Sequence, residues 1–379
     1  MDTQQLLATA SQTENWLRLA IAELPPRKLR ELLESYDYDP ARLFADEPIH
    51  WAMNAPGLIE KQAARLSAVK RGSVADGLAA LERVGASIIT LADPGYPINL
   101  REISDASPIL FVRGTLCADD RFSVAIVGSR RATPYGMSIA ERFGKELSAR
   151  GLCVVSGGAR GIDTRAHYGA LAGGGRTVAF IGCGIDVNYP SDNRALYAQM
   201  VDSGQGAIVS EYAPGVEPEP WRFPARNRLI SGMTMGTVVI ESPIDSGAMI
   251  TATDAASQGR DVFAVPGPID TGRSTGCHKL IKEGAKLVET PQDIIDELGL
   301  LTLTSDDPLS TAEPYRAAPS DLAPDQRRVL DMLTLQPRIV DTLIEESGLP
   351  APQVVGMLTL LEMRGLARRV PGNAFVRVL

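Results

Sequence analysis

The chain has 379 residues, 44% of them hydrophobic and 22% charged, with a formal net charge of −8. It is too long for one ordinary domain, and the composition is that of a globular protein with two or three. An acidic whole excludes a protein that coats nucleic acid indiscriminately, and no uncharged apolar stretch approaches the roughly 18 residues that a membrane helix needs.

The charge is unevenly placed. Residues 121–235 hold 13 Lys plus Arg against 9 Asp plus Glu, a local surplus of +4 inside an acidic chain. A basic cleft leaves that imprint. The start, "MDTQQLLATASQTENWLRLA", has no basic n-region, unbroken apolar run or small-residue cleavage site, so a cytoplasmic chain without a secretory signal is expected. Cys117, Cys153, Cys183 and Cys277 are widely spaced and form no CxxC, as expected of reduced, mostly buried thiols.

In chain order, residues 1–80 show helical spacing broken at "LPPRK" and "DYDP". "NAPGLIEKQAARLSAVK" reads as a turn entering a helix, and the whole as a small helical domain of sterile-alpha-motif or helix-hairpin-helix type. From Gly85 the texture changes. "ASIITLAD" and "ILFVRG" read as short strands around the loop "DPGYPINLREISDASP". A regular alternation follows, beginning with "SVAIVG" at 123–128 and a helix through "GMSIAERFGKELSARG". It continues through "CVVS", "TVAFIG", "AIVSEY", "TVVIES", "VFAVPG" and "KLVE", each succeeded by an amphipathic segment. Val/Ile/Ala runs between amphipathic helices predict an α/β fold over 85–299: a doubly wound, Rossmann-like, mostly parallel sheet buried on both faces. Residues 300–323, rich in Pro, Ser, Thr and Asp, read as a linker. Residues 324–379 give three helices and two strands around a Pro-Gly-Asn turn, the order of a winged helix.

In an open parallel sheet, ligands bind beyond the carboxyl ends of the strands. The segments there are "GSRRATPYG" (128–136), "GGARGID" (157–163), "CGIDVNYPSDN" (183–193), "EYAPGVEPEPWRFPARNR" (211–228) and "SPIDSGAMIT" (242–251). Gly157, Gly158 and Gly161 free backbone N–H groups to turn toward an anion at a helix start, with Arg130 and Arg160 as planar forks beside it. No GxxxxGK[ST] is present, and "GCGIDV" lacks the last glycine of a dinucleotide loop. Arginines spread over several loops suit an extended anion. Phe223, Tyr212 and Trp221 add aromatic faces for unpaired bases, the combination that holds single strands; for Tyr212 and Trp221, covering the sheet edge is an equal reading.

Catalytic signals are thin. Asp163 and His167 stand one helical turn apart without a third metal ligand, so Asp163 is expected to cap its helix and His167 to pack beneath it. Ser129, Ser156 and Ser246 have no Ser-His-acid partner, and Glu241 with Asp245 is a weak paired-acid candidate. No catalytic residue, metal or cofactor is expected.

The strings "VAIVGSRRATPYG", "VVSGGARGIDTRAH", "FIGCGIDVNYP", "VSEYAPG", "FPARNRLISGM", "VVIESPIDSGAMITA" and "VFAVPGPIDTGRSTGCHKLIKEGA" resemble, in order, the bacterial DNA-processing protein A (DprA/Smf) family, from about Asp93 to Ala285. The resemblance implies a cytoplasmic, non-catalytic, dimerising protein that binds single-stranded DNA in its Rossmann-like pocket. It would protect incoming strands in natural transformation and help load the recombinase RecA. On the matching positions it implies a first phosphate turn at Gly128, Ser129 and Arg130. The second is Ser156, Gly157, Gly158, Ala159, Arg160, Gly161, Ile162 and Asp163. Phe223, Arg226, Asn227 and Arg228 would line the pocket, with Ser246 and Gly247 at the fifth helix start. Gly158 replaces a commoner larger apolar residue, and Ala248 and Met249 replace a small polar residue and Leu.

Two alternatives stay open. Nucleoside monophosphate phosphoribohydrolases resemble this Rossmann variant, but their PGGxGTxxE signature is missing. A scaffold with a vestigial pocket is the other. In the winged helix, "APQVVGMLTLLEMR" carries no basic residue before Arg364, and residues 321–379 balance seven acidic against seven basic. A recognition helix without cations lacks the phosphate contribution that dominates DNA affinity. A protein-contact role is therefore expected, with Arg368, Arg369 and Arg377 as a minor DNA-facing alternative.

Overall fold

Prolines punctuate the N-terminal helices where the sequence placed the breaks. In the computed structural model, α1 (Thr3–Ile21) gives way to α2 (Pro26–Glu34), and α3 (Pro40–Ala45) starts on a proline. A first-turn proline has no N–H to leave unbonded. The Asp39 side chain caps α3, accepting from the N–H groups of Ala41 and Arg42. Then follow α4 (Pro48–Asn54), α5 (Glu60–Arg71) and α6 (Ala75–Val84), the last closed by Gly85 at φ +64°. The structure describes residues 3–300, 322–333, 338–364, 366–370 and 374–377. The expected linker at 300–323 lies almost wholly outside them.

The chain divides into two compact units, Met1–Ser305 and Asp306–Leu379. In the first, β1 (Ala86–Thr90), the short α7 (Ile98–Arg101) and β2 (Ile109–Gly114) precede the alternating region. That region runs β3 (Ser123–Gly128), α8 (Pro134–Ala149), β4 (Cys153–Ser156), α9 (Ile162–Ala172), β5 (Thr177–Phe180), α10 (Arg194–Asp202) and β6 (Gly206–Ser210). It continues α11 (Arg222–Gly232), β7 (Gly236–Ile240), α12 (Gly247–Ser257), β8 (Asp261–Ala264), α13 (Thr275–Lys282), β9 (Lys286–Leu287) and α14 (Pro291–Glu297).

Among the described residues these strands make one nine-stranded sheet, ordered β1-β2-β6-β5-β4-β3-β7-β8-β9. From β6 to β9 every pairing is parallel, while β2 is antiparallel to both β1 and β6. The chain winds outward from β3 to β6, then returns to lay β7 on the other side of β3. The order therefore reverses between β3 and β7, which opens a crevice at their carboxyl ends.

Alternate strand residues serve opposite faces. Val124 and Ile126 pack with Phe143 and Leu147 of α8 and Ala166 of α9. Ala125 and Val127 pack with Leu229 of α11 and Ala252 of α12. Each fully buried Val or Ile adds about 1.5–3 kcal/mol, so the near-continuous apolar strands are what a sheet covered on both faces requires. The N-terminal helices share a core with the sheet: Trp16, Leu33 and Trp51 belong to the same apolar cluster as Phe111, Ile208 and Met200. α6 ends at Gly85, and the apolar packing runs across the boundary expected at 80–85, within the one compact unit. Cys153, Cys183 and Cys277 are buried, Cys117 is exposed, and all four are free thiols.

The second unit holds α15 (Pro324–Met332), β10 (Arg338–Ile339), α16 (Val340–Ser347), α17 (Ala351–Met363), β11 (Ala367–Val370) and β12 (Ala374–Arg377). β12 pairs with both β11 and β10. The two-residue β10 is an addition to the expected hairpin; so short a strand has no alternation to betray it in sequence.

Candidate nucleic-acid interface

The loop after β3 is shaped by its neighbours. The N–H of Ser129 donates to the carbonyl of Glu241 (3.0 Å), and the carbonyl of Ser129 accepts from the N–H of Ile162 at the start of α9 (3.2 Å). Gly161 makes that second contact possible. It sits at φ +82°, and a Cβ there would lie 2.3 Å from the Ser129 carbonyl oxygen. The first and second expected phosphate turns are thus stitched together.

Within 157–163 the glycine loop is organised from inside. The Asp163 carboxylate accepts from the N–H groups of Gly157 (3.1 Å) and Ala159 (3.2 Å). It therefore ties down the preceding loop; as the second residue of α9 it reaches backward, and the expected helix cap is not formed. Burial raises the Asp163 carboxyl to about 6, against the pull of the Arg226 guanidinium. The N–H groups of Arg160, Gly161 and Asp163 meet no acceptor among the described residues, as expected at a helix start. Gly158, the departure from the commoner larger residue, has a local reason: φ is +63° and a Cβ would lie 2.3 Å from the Tyr197 hydroxyl. That hydroxyl and the Asn193 amide donate to the Gly158 carbonyl. His167 is fully buried with Nδ1 2.7 Å from the Thr177 hydroxyl, in accord with a packing role.

The four pocket residues of "FPARNR" lie on a helix. α11 begins at Arg222, four residues before the expected "RNRLISGM", because Pro224 falls in its first turn where no N–H is needed. Helical spacing then sends its side chains in different directions. Phe223 is half-buried at the rim, 5.3 Å from the Tyr189 ring, and the exposed Arg130 places its guanidinium 5.1 Å from the Phe223 centroid. Arg226 is buried and donates to the carbonyls of Gly157 and Phe180. Asn227 donates to the Gly247 carbonyl, joining α11 to the start of α12. Arg228 makes a two-pronged pair with Glu211 (2.8 and 2.7 Å), with Asp105 at 3.2 Å.

The structure therefore sorts the expected site residues into layers. Ser129, Arg130, Ala159, Arg160, Gly161, Phe223, Ser246 and Gly247 are at least partly exposed on the rim, and Gly128 lies at the end of β3. Ser156, Gly157, Gly158, Ile162, Asp163, Arg226 and Asn227 are buried beneath it. Ser156 donates to the Ile126 carbonyl, Arg160 pairs with Asp192 at 2.6 Å, and the Ser246 hydroxyl bonds that of Ser242. Arg228 points away into its carboxylates. Tyr212 is buried, whereas Trp221 is 58% exposed with the Arg222 guanidinium over its ring. Glu241 and Asp245 do not act as a pair: Glu241 is buried against Thr133 and Asp245 is exposed.

Two features escaped the sequence reading. Tyr189 lies in a loop already marked by its place after β5, so only its stacking was unreadable. Arg273 follows β8, the sixth strand of the alternation, and the same rule of position would have found it.

A family model described as DNA recombination-mediator protein A matches residues 87–299. The chain belongs to that family. Among its recombination-mediator relatives, Protein Smf of Escherichia coli is 36% identical over 378 residues, covering 97% of this chain and 96% of that one. The solved DNA processing protein A of Streptococcus pneumoniae superposes with a TM-score of 0.64 at 36% identity, covering 75% of this chain and 97% of the other. The Helicobacter pylori protein, solved to describe its single-stranded DNA binding mode, gives 0.51 at 28% identity over 57% of this chain and 96% of the other. A DprA winged helix domain model matches residues 313–373. As a recombination-mediator family member the chain is a DNA-processing protein, and the Rossmann-like sheet with a C-terminal winged helix is the expected architecture. No helix among the described residues is long and apolar enough to cross a membrane.

Proposed function

We propose that the carboxyl rim of the sheet holds single-stranded DNA and that the protein protects such strands and delivers them to the recombinase RecA. The observation that carries this reading is Arg130. Its guanidinium is exposed, has no carboxylate partner among the described residues, and stacks over Phe223, which meets Tyr189. A cation outside any ion pair and beside two aromatic rings suits a phosphate with its unpaired base. Arg160, exposed and among the described residues paired only to the exposed Asp192, is available to exchange that carboxylate for a phosphate. The unbonded N–H groups at the start of α9 supply further donors. Arg226, Asn227, Asp163 and Arg228 serve as the frame beneath. The single-strand binding described for the Helicobacter pylori relative supports the same assignment.

The protein acts as a cytoplasmic homodimer without catalysis of its own. Cleavage of a nucleoside monophosphate has no observation in its favour: the Glu241 carboxylate is engaged by Thr133, and that of Asp163 by the N–H groups of Gly157 and Ala159. Anisotropy of a labelled oligothymidylate over a salt series tests the binding. Log affinity should fall with log salt at a slope of about −0.7 per phosphate neutralised. Accelerated RecA filament assembly on the bound strand tests delivery. Salt-independent affinity, or release of free base from nucleoside monophosphates, would overturn the reading.

A further inference from the structure

Glu241, which follows β7 at the switch point, is unfavourably placed in two ways. It adopts φ +47°, in the left-handed region that side chains avoid, and its carboxylate is buried at the edge of a site proposed to take a polyanion. Strain and a repulsive charge persist where the surroundings use them. Here the use is visible in the bonds. The Glu241 carbonyl accepts from the Ser129 N–H (3.0 Å), and its carboxylate accepts from the N–H of Thr133 (2.8 Å) and from the Thr133 hydroxyl. Arg273, half-exposed, lies 3.9 Å from the same carboxylate and donates to the carbonyl of Arg131 (2.9 Å). The turn between β3 and α8 is thus bonded at residues 129, 131 and 133, while the side chains of Arg130 and Arg131 stay exposed. Gly136 leaves room for this: a Cβ there would lie 2.4 Å from the carboxylate.

We propose that Glu241 and Arg273 are positioning residues that preset the Ser129–Thr133 turn, so that Arg130 meets a phosphate without a loop-ordering cost. The inference rests on the single-strand reading of this rim. Its sign separates it from plain electrostatics. A carboxylate near a phosphate repels it, so removing only the charge tightens binding; removing the clamp loosens the turn and weakens binding.

The test uses the full chain, with hydrogen exchange of the turn and oligothymidylate anisotropy read on the same samples. Glu241→Gln keeps an acceptor for the Thr133 N–H and a partner for its hydroxyl without the charge; Glu241→Ala keeps neither. In the Ala variant, exchange at Arg131–Thr133 should rise and binding should weaken about tenfold, the scale of one lost ordering contribution. The Gln variant should match the native protein in exchange and bind at least as tightly. Arg273→Met should loosen the turn at Arg131. Ala and Gln variants that bind alike, or unchanged exchange in the Ala variant, would overturn the clamp. Arg130→Ala run beside them separates the claims: unchanged binding there removes the strand-binding reading, whereas unchanged exchange in Glu241→Ala removes the clamp. If Glu241→Ala does not fold, Thr133→Val and Arg273→Met carry the same two readouts, and unchanged exchange in both overturns it.

Discussion

The Arg130 guanidinium lies 5.1 Å from the centre of the Phe223 ring, on the face of a stack that continues to Tyr189. Arg130 lies in the turn after β3 and Phe223 in the first turn of α11, between β6 and β7, and the winding of the sheet brings them to one rim. They should fail differently. Arg130→Ala is expected to weaken oligothymidylate binding and reduce the salt slope by about 0.7. Phe223→Ala should weaken it by about 1–3 kcal/mol with the slope intact, since stacking releases no counterion. Anisotropy at four or more salt concentrations reads both. Identical salt slopes in the two variants would count against Arg130 as a phosphate contact.

Arg228 should behave as a framework residue. Its guanidinium and the Glu211 carboxylate are both about nine-tenths buried and doubly bonded. Arg228→Met strands Glu211 and should cost about 3–5 kcal/mol in urea unfolding. The salt slope of DNA binding in the folded variant should stay native. A lowered slope with native stability would place Arg228 on the strand after all.

Two buried groups under the rim predict opposing responses to pH. Burial raises Asp163 from 3.8 to about 6, so its contribution is complete below pH 4 and is lost as pH rises toward 6. Burial, with help from Arg226, lowers His167 from 6.5 to about 3, so its contribution is present above pH 6.5 and is lost on acidification. Between pH 4 and 6 the slopes oppose. Asp163→Asn should therefore make stability fall more steeply from pH 6 to 4 than in the native protein, and His167→Gln should make it fall less. Urea midpoints across pH 4–7 decide this; variants that parallel the native profile would refute it.

The winged helix should contribute little to duplex affinity. The exposed positions of α17 include Gln353, Val355, Gly356, Thr359, Leu360 and Glu362, with no cation among them. Arg377 is paired with Asp331 and Arg338 with Glu346. A chain ending at Ser305 should match the full chain in duplex affinity within about twofold and in salt slope. A slope reduced by two or more would restore the DNA-facing role of Arg368, Arg369 and Arg377.

Much of this architecture was legible because its signals are local. "SVAIVG" at 123–128 is β3 residue for residue, since a strand buried on both faces must be apolar throughout. The helix starts at the prolines of "LPPRK" and "DYDP" followed from proline chemistry. β10 and the early start of α11 were not legible. The first is a two-residue pairing made by a distant strand, and the second depends on a first-turn proline that in isolation reads as a loop.

The residues alone determined that a basic, glycine-bearing set of loops converges on one edge of a parallel sheet, because alternation of strand and helix forces every such loop to the same side. They did not determine which arginine faces solvent. Arg130, Arg226 and Arg228 are chemically identical and all sit in or beside those loops, yet one is exposed over a ring, one is buried on carbonyls and one is held by two acids. Burial and pairing depend on groups a hundred or more residues away in some cases, such as the Asp105 that reaches Arg228, and these meet only when the sheet closes.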